Sequence, residues 1–540
     1  MKKKNLILTL CLGTMLACFS GCNTNAKKGD KKQHCKPKAQ QTMKINIVSE
    51  PFTLDPRKAR RLNDINLAKM FMEGLTREKK DIGPVLAAAK DVSVSDDGLV
   101  YTFTLRDSNW TNGDPVTSYD FAYSWKKVLS PDFVQGNSEE LFIIKNGKDI
   151  QNGDLPTSLL GVKTPDEKTL VVSLEYPAPY FLTLVSSPAF FPVNRNVDKK
   201  HTNWACSVET YIGNGPFKLG LWNHRDRIVA IKNEGYWDEQ NVQMEKIEML
   251  MVSQDTGLKM FENNEIQWDG SPFSALPRDA MESLKNEKKL QSVPAVGTYL
   301  VQTNTLKGPL QSENIRRALA LAINRADIVN YVTVGDLPST GIVPTTFGLQ
   351  DTPYFKDGDH QSSITAFELG LKELNISKEQ LNDLSLTYIA SELDHKVAQT
   401  IQQQWFETLG VLVKLDPQES TNYCVKRANR DFDLLYGNWI ADFSDAIVFL
   451  KIFDSKNNLL NSTNWENPEV TKTIASTFIC RDKSERQQLL KNAEKMIMDA
   501  MPAIPIYNYT MHFVKDSNVK NVELNDLGHI DFKWAFIDNS

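Results

Sequence analysis

The sequence carries none of the short motifs on which the common hydrolytic and nucleotide chemistries rest. There is no GxSxG to expose a serine on a strained strand-to-helix turn. There is no HExxH to set two histidines on one helix face around zinc. There is no GxxxxGK followed by Ser or Thr to cradle phosphates, and no GxGxxG after a strand. Histidine is scarce: seven residues (34, 201, 224, 360, 395, 512, 529), none paired at i, i+4. Cysteine is equally scarce, seven in 540 residues, and no CxxC or other zinc-like spacing occurs. His201 and Cys206 are near in sequence, but a lone pair of that kind is a structural feature rather than a metal site. Neither a metal nor another cofactor is implied. A basic field is missing too. The net charge is -5 and the pI about 5.9, which excludes a nucleic-acid-binding protein held by global charge.

What is present fits a large globular chain. At 41% hydrophobic and 24% charged residues, 540 residues suffice for two or three domains. Only the start is strongly apolar. Met1-Lys2-Lys3-Lys4 is a basic leader, and the stretch from Leu6 to Phe19 is apolar but too short for a comfortable membrane span. It ends in Phe19-Ser20-Gly21-Cys22, where small residues before a cysteine resemble the lipidation box of bacterial lipoproteins. Residues 1–21 are therefore expected to be a signal peptide, with Cys22 lipidated. The lysine-rich, polar stretch over 22–42 cannot bury enough surface to fold and is read as a flexible tether. Four cysteines remain beyond the leader and Cys22: Cys35, Cys206, Cys424 and Cys480. They allow three complete pairings, and the sequence does not select one.

Helical and extended periods alternate along the body, which gives a mixed α/β class. Residues 44–48 alternate as a strand. A helix is expected over 64–74, ended by Gly74. Residues 92–105 read as a hairpin turning at Ser95-Asp96-Asp97-Gly98, and Thr117 caps a helix running to Leu129 with Asp120 at the reciprocal position. Strands follow at 169–174, 217–219 and 228–232. Helices follow at 315–322, capped by Asn314, and at 395–409, stopped by Gly410, with a strand at 411–415. Residues 483–500 form an amphipathic helix whose stripe is Leu489, Ala493, Met496 and Ala500.

Acidic residues are plentiful, 67 in all, so a pair suited to glycoside hydrolysis cannot be dismissed by composition. Asp442 and Asp445, in Gly437-Asn438-Trp439-Ile440-Ala441-Asp442-Phe443-Ser444-Asp445-Ala446, are the candidates. Most such acids are caps or solvated charges.

Several stretches resemble one family. Ser49-Glu50-Pro51-Phe52-Thr53-Leu54-Asp55-Pro56, Glu73-Gly74-Leu75, Tyr101-Thr102-Phe103-Thr104-Leu105-Arg106 and Trp110-Thr111-Asn112-Gly113-Asp114-Pro115-Val116-Thr117 come first. Asn214-Gly215-Pro216-Phe217, then Ile315-Arg316-Arg317-Ala318-Leu319 with Ala322-Ile323-Asn324-Arg325, follow in the same order. Together they resemble the oligopeptide-binding members of the extracytoplasmic solute-binding proteins, family 5, of ABC importers. That resemblance implies a two-lobed, clamp-like binding-protein fold with an extra domain in one lobe. By analogy the extra domain falls near 63–188 and the distal lobe near 297–504. The proximal lobe combines 43–62, 189–296 and 505–540.

The resemblance also implies roles. Asp442 in Trp439-Ile440-Ala441-Asp442 would pair with a peptide α-ammonium, with Trp439 as an apolar wall. His395 and Arg427 would lie towards the peptide carboxylate. Tyr436 stands where a second arginine is expected, and Ser420 where an aromatic is expected, which suggests a different length or side-chain preference. Glu50 and Phe52 would face the cleft from the opening strand. The implied partners are short peptides, the permease subunits and, through the lipid, a membrane; the protein is expected to be an extracytoplasmic monomer. Murein peptides, metal chelates or haem are alternative ligands on such a fold. A wall hydrolase using Asp442, or a surface receptor without a transporter, is the reading from another class.

Lipidation has a direct test. Cys22→Ser is expected to move the protein from the membrane to the soluble fraction, and the wild type to carry acyl mass at its amino terminus. Equal partitioning of the two proteins would refute the anchor.

Overall fold

A computed structural model describes residues 41–538, apart from Asp81, Gln135, Asp442, Leu459 and Arg481. The leader, Cys22, Cys35 and nearly all of the tether therefore lie outside the described residues, as does Asp442. Among the described residues no helix is long and apolar enough to cross a membrane. Cys206, Cys424 and Cys480 are each free.

The chain folds into two mixed α/β lobes spanned by one eleven-stranded sheet. Its order is Lys414–Gln418, Ser385–Ile389, Leu434–Ile440, Gln291–Thr303, Ala503–Lys515, Trp268–Gly270, Thr42–Asn46, Lys246–Leu250, Arg227–Lys232 and Phe217–Asn223, with Leu337–Pro338 added beside Ala503–Lys515. Two strands of 13 residues each, Gln291–Thr303 and Ala503–Lys515, lie at the centre and run from one half to the other. They pair antiparallel, but the ladder breaks between Pro294 and Thr298. Proline has no N–H to donate, so Pro294 is a natural place for the interruption. On one side of the break Ala503–Lys515 reaches Trp268–Gly270 through Phe513 and Gly270; on the other, Gln291–Thr303 carries Leu434–Ile440. A smaller four-stranded sheet, in the order Ala89–Val94, Val100–Leu105, Thr169–Ser173 and Val162–Lys163, stands apart.

Several sequence expectations hold closely. The hairpin strands are Ala89–Val94 and Val100–Leu105, and Ser118–Val128 carries the Thr117–Asp120 capping box. Others move. The helix starting near 315 spans Glu313–Leu321 and is capped by Ser312, whose hydroxyl accepts the Ile315 N–H; Asn314 instead bonds Glu373. The helix expected from His395 begins at Glu392 because Ser391 caps it. The strand expected at 411–415 forms at Lys414–Gln418, since Val411 and Val413 bury their side chains in the preceding loop. The helix expected over 64–74 spans Leu62–Phe71, so Gly74 does not stop it. A Cβ on Gly74 would lie 2.6 Å from the Val185 carbonyl oxygen, so glycine is needed for close packing.

The motifs of the first half interlock. Asn214 accepts the Glu73 N–H (2.9 Å) and donates to the Glu73 carbonyl (3.1 Å). Glu73 in turn accepts from Arg77, Tyr236 and Trp237, and Arg77 also reaches Asp531 near the C-terminus. Asn66 holds the same terminal segment through Gly528 and Ile530. These side chains are all buried or nearly so, and their polar atoms are satisfied by one another, as burial requires.

Helix Lys483–Ala500 turns a different stripe inward from the one expected. Leu490, Ala493, Glu494, Ile497 and Ala500 are buried. Glu494 is 0% exposed, accepts bonds from Val343 N–H and the Tyr354 hydroxyl at 2.9 Å each, and has no ion-pair partner among the described residues. Burial pushes its carboxyl up to about 7, against the lowering effect of those bonds. The folded state therefore keeps a proton that the unfolded chain releases near pH 4.5. Stability from this group is full below that value and is lost as pH rises towards 7. The loss is up to about 3 kcal/mol. Asp269 and Asp336, both pushed up to about 6 by burial, add slopes of the same sign. Glu494→Gln is expected to flatten the fall in chemical-denaturation stability between pH 4.5 and 7.5; an unchanged slope would refute a protonated Glu494.

Candidate functional site

The strand Leu434–Ile440 follows from a run of apolar residues that buries at its start and opens at its end: Leu434, Leu435 and Tyr436 are buried, while Asn438 and Ile440 are exposed. It lies antiparallel to the first crossing strand, with Trp439 opposite Thr298 and Ile440 opposite Gly297. On its other side it meets Ser385–Ile389 only at Leu434 and Leu435. On that side the edge over Gly437–Ile440 has no strand partner among the described residues. Two neighbouring strands thus diverge, and beyond Leu435 the Tyr423 hydroxyl donates to the Tyr436 carbonyl at 3.3 Å.

Arg427, on the helix Ser420–Asn429, places its guanidinium 5.2 Å from the Trp439 ring centroid. It makes no ion pair with a carboxylate among the described residues. The Trp439 indole N–H is buried and also lacks an acceptor among them. A small apolar cavity of about 20 Å³ opens beside Trp439, walled by Leu300, Ile342, Phe449 and Phe453. Ser420 starts the helix and does not approach this group as an aromatic would; Glu419 caps it.

Tyr436 is 1% exposed, and its hydroxyl pairs with that of Tyr507 at 2.8 Å. Tyr299 stacks on Tyr507 with centroids 4.6 Å apart and lies 5.9 Å from Tyr436. Burial pushes the Tyr436 and Tyr507 hydroxyls far above the usual tyrosine value, so both stay neutral. The residue in the expected arginine position therefore supplies packing and a hydroxyl network rather than charge. His395 sits one turn into the helix Glu392–Leu409, its ring exposed and its Nδ1 paired with the hydroxyl of buried Tyr388. Beside it, burial raises the Asp394 carboxyl despite the bond from Ser391.

Glu50 and Phe52 belong to the other half of the sheet. The strand there ends at Asn46, so both lie in the following loop. The Glu50 carboxylate accepts from Trp222 Nε1, the Arg225 N–H (both 2.5 Å) and pairs with His224 Nδ1 (3.0 Å). Partial burial acts to raise its pKa, but these bonds, led by Arg225, outweigh it and lower the net value. Phe52 is 58% exposed, with Arg61 over its ring at 5.3 Å. The candidates thus fall into two groups, one on each half, joined by the crossing strands.

Sequence reasoning missed Tyr299 and Tyr507, and with them Asp336, whose carboxylate accepts the Thr510 N–H at 2.9 Å. The signal was there: Tyr507 and Tyr509 alternate in Ala503-Ile504-Pro505-Ile506-Tyr507-Asn508-Tyr509, a pattern that sets both on one strand face.

The fold and this arrangement define a clamp that holds a solute. The chain belongs to the bacterial extracellular solute-binding proteins, family 5, whose model ("family 5 Middle") it matches over residues 83–461. It is similar to the oligopeptide-binding protein OppA of Bacillus subtilis (strain 168), 37% identical over 545 residues, covering 99% of this chain and 100% of that protein. It is 34% identical over 540 residues to the dipeptide-binding protein DppE of the same organism, with 97% of each covered. Among solved structures it superposes on the unliganded open form of the periplasmic murein tripeptide-binding protein MppA. The TM-score is 0.81 at 27% identity, covering 92% of this chain and 97% of that chain.

Because the Glu50 carboxylate is taken up by the Trp222–Arg225 turn, Glu50→Ala is expected to lower stability by about 1–3 kcal/mol. Denaturant titration reads this loss. A variant as stable as the wild type would show that the turn does not need the carboxylate.

Proposed function

We propose that the protein is the substrate-binding component of a peptide ABC importer. It takes short peptides into the cleft between its lobes and delivers them to the permease. The observation that carries the reading is the unpartnered edge of Gly437–Ile440 beside Trp439 and Arg427. A peptide laid along that edge gains main-chain hydrogen bonds whatever its side chains, which suits a carrier of many sequences.

Asp442, two residues beyond the end of the strand in sequence, is the partner of the α-ammonium in this reading. An obligatory cation at one end of every peptide offsets the cost of burying a carboxylate. Arg427 and the Trp439 N–H are donors left for acceptors on the ligand, and His395 lies towards the far end. Glu50 and Phe52 approach from the proximal lobe, where Phe52 has exposed ring surface to offer. The lobes comprise 43–62, 189–296 and 505–540 on one side and 297–504 on the other, with the extra domain at 63–188. The protein acts as a monomer, tethered outside the cytoplasm by lipid on Cys22, and performs no chemistry on its ligand.

Thermal melting of the body from Gln41 onwards, with di- to hexapeptides bearing free or N-acetylated amino termini, tests this. A ligand at a hundredfold excess over Kd adds about 2.7 kcal/mol. Free peptides are expected to raise Tm, acetylated ones to do so less, and Asp442→Ala to abolish the difference. No shift with any peptide would overturn the peptide reading.

A further inference from the structure

Residues 337–347 supply one wall of the cavity beside Trp439, and they are held from both sides. The segment starts on the second crossing strand, where Leu337 stands opposite Asn508 and Pro338 opposite Tyr507. The Ser339 N–H donates to the Ile506 carbonyl at 3.1 Å. The chain then leaves the sheet. Buried Ile342 enters the cavity wall, and the Phe347 ring meets Phe449, another wall residue, with centroids 6.1 Å apart. On the inner side the Thr345 N–H donates to Asn508 Oδ1 at 3.4 Å. The Asn508 amide donates in turn to the hydroxyl of Thr298, the residue opposite Trp439, at 2.9 Å.

The outer side is held by Glu494, on the helix Lys483–Ala500. It accepts the Val343 N–H at 2.9 Å, and the backbone comes so close that a Cβ on Gly341 would lie 2.6 Å from Glu494 Oε1. The contacts of this one carboxyl group therefore flank Ile342. Among the described residues no cation faces it. Tyr354, whose hydroxyl it accepts, is the titratable group in contact, and the Asp351 and Asp499 carboxylates nearby are paired with Lys491 and Lys495. The helices packed on Lys483–Ala500 bury Val470, Ile474 and Thr477, and Ile447, Phe449 and Leu450, none of them charged. Burial pushes the Glu494 carboxyl up to about 7. An ionised carboxylate kept there without a counter-charge is costly, so ionisation favours parting of the segment from the helix, which moves Ile342.

We infer that Glu494 is a positioning residue for side-chain selection: by fixing the backbone around Ile342 it shapes the cavity beside Trp439 to take a small apolar side chain of the ligand. The inference rests on the proposed binding of peptides beside that cavity and does not depend on how their amino terminus is held.

The test is calorimetry on the full chain with tri-alanine and its three single-valine variants. At pH 6 the wild type is expected to bind one of the valine peptides about tenfold more tightly than tri-alanine. Glu494→Ala is expected to lose that gain while binding tri-alanine as the wild type does. Glu494→Gln keeps an acceptor for the Val343 N–H and is expected to keep the gain. Between pH 6 and 8.5 the gain should shrink in the wild type, as Glu494 ionises, and stay constant in Glu494→Gln. Tri-alanine, measured alongside, cancels the effect of other groups that titrate in this range. Melting without peptide identifies a variant that fails to fold, and the wild-type pH series needs no variant. Equal weakening of all four peptides in Glu494→Ala would show a merely structural role and overturn the proposal. So would a gain retained in Glu494→Ala, a wild-type gain independent of pH, or equal binding of all four peptides by the wild type. If the wild type binds none of the four, the peptide reading itself fails and this proposal falls with it.

Discussion

The molecule depends on the pairing of two long strands, Gln291–Thr303 and Ala503–Lys515. They alone run through both halves of the large sheet, and each half is hung on one of them. The ladder between them breaks between Pro294 and Thr298 and shifts register again between Tyr299 and Leu300. That break combines two properties a clamp requires. Each half keeps a fixed register on its own crossing strand, so a rotation does not scramble the site. The segment between the halves has fewer cross-strand bonds to deform. The break between the crossing strands thus marks where the two halves of the sheet meet.

Around this axis, much of the resemblance between this chain and its family is scaffold rather than site. Glu73, Asn214 and Arg77 belong to stretches that mark the family, yet their side chains bond one another, Tyr236, Trp237 and Asp531. Removing one member would leave the others buried without partners, which costs far more than the pair itself is worth. Such a network fixes which segments meet, joining the helix Leu62–Phe71 to the C-terminal segment across most of the chain. The matching motifs therefore identify the fold strongly and the ligand only weakly.

The same division explains what was legible in the sequence. Hairpins and capped helices were readable because their signals are local: Thr117 with Asp120, or the alternation Tyr101, Phe103, Leu105. Boundaries slipped where two residues competed for one cap, as Ser312 with Asn314, both of which also bond the distant Glu373 carboxylate. Gly74 was read as a helix stop because nothing local reveals the Val185 carbonyl that crowds it. Glu494 was missed as a buried residue because a glutamate on a helix is ordinarily solvated, and its hydrogen-bond partners lie some 140 to 151 positions away. In the site, Trp439 and Arg427 were found together, whereas Tyr299 and Tyr507 were not. Their stack depends on the register of the crossing strands, which no short window contains.

That register also governs what a ligand must supply. Tyr436 closes one face of the site with a neutral hydroxyl network, so a second positive charge is absent where one was expected. On the other face, Arg427 and the Trp439 N–H stand without acceptors among the described residues, beside an apolar cavity and an unpaired strand edge. Unmet donors next to apolar surface favour a molecule that alternates carbonyls with carbon side chains. Among the described residues, then, this side of the sheet presents Arg427 and the Trp439 N–H, and the opposite side presents only neutral hydroxyls.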